Sequence, residues 1–202
     1  MQTRDPGVFL GRQPILDGRL RVIAYELLFR CSGNLAEAHV SDDAVATKSV
    51  VSRAFRDIGI RTVVGQAAAF VNVDAESLLN SMIETLPREQ VVLELLETVE
   101  ITEQLIERCR VLKAKGYRIA LDDFCSYSDV YDPLLDIADI VKIDVLQLDP
   151  DSLMKLVRKL KLWPTRLLAE KVETLERARE CVRLGFDLFQ GFLFGRPELL
   201  AG

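Results

Sequence analysis

Short apolar runs of strand length alternate with longer stretches of helical period along nearly the whole chain, and this alternation restricts the fold more than any other feature. "AAFVNV" (68–73), "VVLELLE" (91–97), "YRIALDDF" (117–124), "DIVKID" (139–144), "TRLLAEKV" (165–172) and "FDLFQGFLF" (186–194) read as strands. "AESLLNSMIETL" (75–86), "TEQLIERCRVLKAKG" (102–116), "PDSLMKLVRKLK" (150–161) and "TLERARECVRLG" (174–185) read as helices. Asp149 or Asp151 and Thr174 are suited to cap the last two, and Gly116 to end the helix before them. Residues 42–58 also repeat apolar positions at helical spacing, with Gly59 at the end. Earlier, "GRQPILDG" and "RVIAYELLF" flank the Asp17-Gly18 turn signal and predict a hairpin. Strands separated by helices pair in parallel through crossovers. About eight strands predict an α/β fold of the closed (β/α)8, TIM-like type. A doubly wound open sheet would carry a glycine-rich phosphate loop after its first strand, and none is present. With 202 residues and no linker or low-complexity segment, a single domain is expected over 1–202, its core at about 8–198.

Charge and composition remove several functions. The net charge of −5 speaks against a nucleic-acid polymer as partner. One histidine, His39, and four cysteines without a CxxC pair speak against a zinc site or Cys–His catalysis. The thiols, Cys125 among them, are expected to pack as small apolar groups in a reducing compartment. No apolar run approaches the ~20 residues of a membrane span, and "MQTRDPG" opens polar, so a cytoplasmic protein without membrane contact is expected. Trp163 is expected as a surface or loop anchor, and "RKLK" (158–161) as the solvated face of a helix.

The polar residues that interrupt the apolar runs carry the functional signal. Barrel chemistry sits at the C-terminal ends of the strands. Those ends hold Glu26, Asn72, Glu94, Asp122 with Asp123, Lys142, Glu170 and Gln190. From Asn72 onward the spacings are 22, 28, 20, 28 and 20 residues, each about one strand–helix unit, which stacks the side chains around one rim. A single acid at a strand end is ordinarily a cap or a solvated residue. Seven interruptions in one register are not. Carboxylates crowded into a partly buried mouth repel and desolvate poorly unless a cation joins them. Oxygen ligands without Cys or His favour Mg²⁺, Mn²⁺ or Ca²⁺. Adjacent acids suit two metals, Asp122 bridging and Asp123 on the second, an arrangement used in phosphoryl transfer. Lys142 is placed to neutralise charge developing on a phosphate.

These residues lie in blocks that resemble the EAL domain, the bacterial cyclic di-GMP phosphodiesterase module. "QPI" (13–15), "ELLFR" (26–30), "FVNVD" (70–74), "ELLE" (94–97), "ALDDF" (120–124), "VKID" (141–144), "AEKVE" (169–173) and "FQGFLFGRP" (189–197) follow the family's order. The resemblance implies a (β/α)8 barrel with an antiparallel strand near its start. It implies a first metal on Glu26, Asn72, Glu94 and Asp122, and a second on Asp123. Lys142, Glu170, Gln190 and Glu97 would complete the catalytic set, while Gln13, Leu28 and Arg30 would contact cyclic di-GMP. The implied cofactor is Mg²⁺ or Mn²⁺, with Ca²⁺ as an inhibitory substitute. Two departures stand out. The family's "DDFGTG" is "DDFCSY" here, with Cys125 and Tyr127 in place of glycines, and its "AEGVE" is "AEKVE", with Lys171 for glycine. The blocks most resemble the EAL half of EAL–HDOD signalling proteins, which implies a degenerate domain with weak or no turnover. An HDOD domain or another protein, and a second copy of the chain, are the implied partners. The alternative is an active phosphodiesterase yielding linear pGpG.

Overall fold

The computed structural model describes residues 9–30 and 59–200. Arg30, at the end of β2, has a described backbone only, and the predicted helix over 42–58 lies outside the described residues. The hairpin forms as expected, with β1 (Phe9–Asp17) antiparallel to β2 (Val22–Arg30). Six parallel strands follow: β3 (Ala68–Val73), β4 (Val91–Leu95), β5 (Arg118–Leu121), β6 (Ile140–Asp144), β7 (Arg166–Glu170) and β8 (Leu188–Phe189). Because β1 pairs with both β2 and β8, the sheet closes into an eight-stranded barrel. A ninth strand that the sequence did not signal, β9 (Glu198–Leu200), pairs with the outer end of β1.

The barrel has two apolar layers, and side-chain parity separates them. Ile15, Ala24, Phe70, Val92, Ala120, Ile140, Leu168 and Leu188 point inward and form a closed plug. Their neighbours, including Val71, Leu93, Ile119, Val141, Leu167 and Phe189, point outward into a larger core beneath the helices. Strands covered on both faces read as unbroken apolar runs, which is why β4 and β6 are buried at every position.

The principal helices are α3 (Glu103–Ala114), α5 (Pro150–Leu160) and α6 (Leu175–Leu184). Side chains of Thr102, Asp149 and Thr174 accept backbone N–H groups at their starts. Gly185, at φ 86°, closes α6 in the left-handed conformation. Short helices α1 (Ile60–Val64), α2 (Ala75–Leu79) and α4 (Asp132–Leu135) complete the described set.

Four expectations need revision. The helix predicted over 75–86 breaks at Asn80, whose extended backbone and side chain, accepting from the Met82 N–H, start a separate 3₁₀ turn over Ser81–Thr85. The strand predicted over 186–194 is reduced to the two residues of β8. Gly191 leaves the sheet at φ 149°, and a Cβ there would meet the backbone of Val172 at 2.2 Å. In "RKLK", Arg158 and Lys161 are exposed as expected, but Leu160 is buried and Lys159 lies over the rings of Tyr127 and Trp163, so only part of that stretch is a solvated face. Cys125 is exposed rather than packed, because the chain turns outward after Phe124.

Candidate functional site

The site stands one layer above the plug. Two residues beyond Ala24, Phe70, Val92, Ala120, Ile140, Leu168 and Leu188 come Glu26, Asn72, Glu94, Asp122, Lys142, Glu170 and Gln190. The same inward parity carries each of them to the C-terminal mouth. β1 runs the other way, so Gln13, two residues before Ile15, joins this layer. The plug closes the barrel below, and the polar layer above it faces the open end.

Lys142 is the centre of the layer. Its side chain is 1% exposed, and its ammonium contacts Glu94, Asp122 Oδ1 at 2.9 Å and Glu170 Oε1 at 2.8 Å, with Glu26 Oε1 at 3.9 Å. The sequence places Lys142 where it could neutralise charge on a phosphate; in this structure it lines the cavity at the mouth and is the counter-ion of the acids. Burial works against the ammonium, but the four carboxylates more than offset it and hold Lys142 well above the usual lysine range. Glu94, fully buried, is raised well above the usual carboxylate range by desolvation, which the lysine only partly offsets. Burial likewise pushes Glu170 up to about 8. Asp122 goes the other way: burial would raise it, but the Lys142 charge and hydrogen bonds from Lys142 and Glu94 bring it below the usual value.

The opposite wall is neutral. The Gln190 side-chain amide donates to Glu26 Oε2 and, at 3.1 Å, to Gln13 Oε1, while Gln13 donates to the Gly195 carbonyl at 3.0 Å. Above these groups opens a cavity of about 340 Å³, lined by Gln13, Glu26, Leu28, Asp122, Asp123, Lys142, Glu170, Lys171, Glu173, Gln190, Gly191 and Phe192. Asn72 and Glu94 lie below it and do not form its wall. Glu97 is exposed and lines a neighbouring cavity of about 230 Å³ that shares Asp122 and Asp123, so it stands outside the ring.

Asp123 sits differently. It is at the parity opposite to the ring, and a left-handed backbone at φ 44° turns it toward the mouth. The ladder continues across this kink: the Asp122 N–H donates to Leu95 O on β4, and the Phe124 N–H to Lys142 O on β6. Burial raises the Asp123 carboxyl, and its Oδ1 has no hydrogen-bond partner. At the end of β7, Lys171 is also left-handed, at φ 55°. Its ammonium bonds Asp144 and stands 3.7 Å from Asp123 Oδ1. Asp144 is almost fully buried and also accepts from the Leu146 N–H and the Gln147 side chain. Neither Lys171 nor Asp144 was given a role from sequence. For Asp144 the signal was present, since it has the parity of Lys142, two residues further along β6.

The donor set suits a hard cation. Asn72 Oδ1 and Glu94 Oε2 are buried without hydrogen-bond partners, on residues paired in register across β3 and β4. Among the described residues, no three acidic, His or Cys side chains already stand as a metal cage. Three of the acids are turned onto Lys142 instead.

A closed α/β barrel with acids at the C-terminal ends of its strands, sealed by an antiparallel first strand, defines a TIM-like barrel of a particular kind. The family model of the EAL domain matches residues 8–197, and the chain belongs to this family of cyclic di-GMP phosphodiesterase domains. It is 36% identical over 194 residues to the cyclic di-GMP phosphodiesterase CdgJ of Vibrio cholerae, a match covering 95% of this chain and 45% of that protein. With the Bacillus subtilis protein YuxH it shares 36% identity over 200 residues, covering 96% and 48%. The chain thus spans about half the length of the curated relatives it matches. Klebsiella pneumoniae BlrP1, solved with calcium and cyclic di-GMP, superposes with a TM-score of 0.75 at 27% identity, over 98% of this chain and 58% of that one. The EAL domain of Mycobacterium smegmatis DcpA gives 0.71 at 27% identity, over 95% and 93%.

Proposed function

We propose that this chain is a single-domain cyclic di-GMP signalling module that binds a divalent cation and the dinucleotide at the barrel mouth and turns the ligand over slowly or not at all. The observation that carries the binding half is the pair of orphaned, buried oxygens on Asn72 and Glu94, inside a layer of acids and amides around Lys142. Glu26, Asn72, Glu94 and Asp122 would hold one cation, and Asp123 is the position at which the family resemblance implies a second. Mg²⁺ or Mn²⁺ fits these oxygens, with Ca²⁺ as a non-productive substitute. Such a cation, when bound, supplies an activated water and neutralises charge on phosphate. The amides of Gln13 and Gln190, with Leu28 and Arg30, would receive the ligand. Glu170, raised by burial to about 8, holds a proton at the mouth near neutral pH.

Slow turnover follows from the loop after Phe124. The Tyr127 hydroxyl donates to Asp129 and Asp132, both at 2.7 Å, and its ring packs beside Trp163 under Lys159. This holds the segment next to Asp123 in one path, where active relatives of the family carry glycines. Displacement of a reacting group by about 1 Å costs on the order of a hundredfold in rate. Retention of the whole acid set supports the second reading, an active metal-dependent phosphodiesterase. Turnover by purified protein with Mn²⁺ decides between them. Binding of cyclic di-GMP should be lost with Glu94→Ala plus Asp122→Ala, and the rate should stay well below about 1 s⁻¹. Replacing Cys125, Ser126 and Tyr127 by Gly, Thr and Gly should raise it. A wild-type rate above that mark, abolished by Glu26→Ala, would establish the active reading. The resemblance to EAL–HDOD proteins makes a cytoplasmic HDOD domain, and a second copy of the chain, the protein partners to test by co-purification and light scattering.

A further inference from the structure

Lys171 combines three features that an incidental surface lysine would not. Its backbone is left-handed, a conformation that disfavours a residue with a Cβ. Its side chain, although half exposed, is not free in solvent: the ammonium is held by the almost fully buried Asp144. That anchoring points it across the tops of β6 and β7 to within 3.7 Å of Asp123 Oδ1, a buried oxygen with no hydrogen bond. Neither acid has another cation in contact among the described residues. Lys142, the other cation lining the cavity among the described residues, is taken up by Glu26, Glu94, Asp122 and Glu170. The mouth therefore contains two acid groups, each neutralised by its own lysine.

We propose that Lys171 is a tethered cation occupying the charge position beside Asp123, so that the mouth takes one divalent ion per chain, held on the Asn72–Glu94 side, and not two. This rests on the metal-binding reading above. A second divalent ion on Asp123 would stand next to a fixed positive charge, and two cations sharing one carboxylate repel each other even at a half-exposed rim. Lys142 differs because, although it touches the ring acids directly, it leaves Asn72 Oδ1 and Glu94 Oε2 without hydrogen-bond partners, so donors for an ion remain on that side. Lys171 is anchored from outside the ring by Asp144.

The test is the number of Mn²⁺ ions bound per chain, read by calorimetry and by the exchange-coupled paramagnetic resonance signal of a paired Mn²⁺ site, independently of any turnover. The wild type should bind one ion and show no pair signal. Lys171→Gly, which also relieves the left-handed strain, and Lys171→Met, which removes only the charge, should each bind a second ion with the pair signal. Lys171→Arg should remain at one. Without metal Lys171→Met should melt lower than wild type, since Asp144 loses its counter-ion, and Mn²⁺ should raise the melting temperature of both neutral variants more than the wild type's. Two ions on the wild type, or one ion on all four proteins, would overturn the role of Lys171 while leaving the metal site intact. No ion on any of them would overturn the metal-binding reading and this inference together.

Discussion

The two lysines of the mouth show two ways of keeping acids inside a barrel. Lys142 stands in the ring itself, 1% exposed, with four carboxylates around it. Lys171 stands at the rim with half its side chain in water, tied to Asp144 and near Asp123. The first is part of the core: removing it would strand charges that have no access to solvent. The second is a local closure at a strand end, with water beside its ammonium, so its loss costs less and opens the place that it holds. Burial, rather than the number of acids, sets how much each lysine contributes to stability.

Substitution should divide the two clearly. Lys142→Met should lower stability by about 3–5 kcal/mol in denaturant unfolding of the metal-free protein, the usual cost of leaving buried charge without its partner. An effect near zero would mean that Asp122, the acid that Lys142 holds below its usual range, is uncharged in the folded protein as well.

The pH dependence sharpens the same point. Glu170 rises from 4.5 to about 8 on folding, mainly through burial. The folded state thus binds its proton more tightly than the unfolded state does. Its contribution to stability is fully present below about pH 4.5 and is lost as pH rises through about 8. Asp122, shifted downward, acts in the opposite sense only at lower pH. Metal-free protein should therefore lose melting temperature between pH 5 and 8, and Glu170→Gln should flatten that decline. A profile that rises through this window would contradict the arrangement around Lys142.

The smallest effects belong to the rim. Lys171→Met should cost about 1 kcal/mol, because Asp144 keeps its bonds from Leu146 and Gln147. Tyr127→Phe, which removes the hydroxyl from Asp129 and Asp132, should cost about 1 kcal/mol or less, measured in the same unfolding series. Rim losses as large as that of Lys142→Met would erase the distinction.

What could be seen in the sequence was what depends on parity. Glu26, Asn72, Glu94, Asp122, Lys142, Glu170 and Gln190 each lie two residues past a plug residue, so one strand register places them all. The parallel order followed from the alternation of runs. Distances between side chains were not legible. Nothing in "VKID" says that Lys142 will be gripped by acids from β2, β4, β5 and β7 rather than directed outward. Nor does "DDF" or "AEKVE" show that Asp123 and Lys171 turn left-handed to approach each other, because both strand ends read as continuing extended chain. β9 was missed because three residues after a proline carry almost no pattern, and the break at Asn80 because a capping side chain interrupts an otherwise regular apolar period.

The seam between β1 and β9 has a mechanical consequence. Leu10 faces Leu200 and Arg12 faces Glu198, so the outer ends of two antiparallel strands lie side by side. Tension applied between residues 9 and 200 would load their hydrogen bonds one pair at a time, as a zipper is opened, and not all together in shear. The Arg12–Glu198 ion pair, 3.3 Å long, is the last link in that row. Beyond it the same strand carries Gln13, bonded to Gly195 and Gln190. A pull on the flanks would thus reach the wall of the mouth at Gln13 after only a few broken contacts.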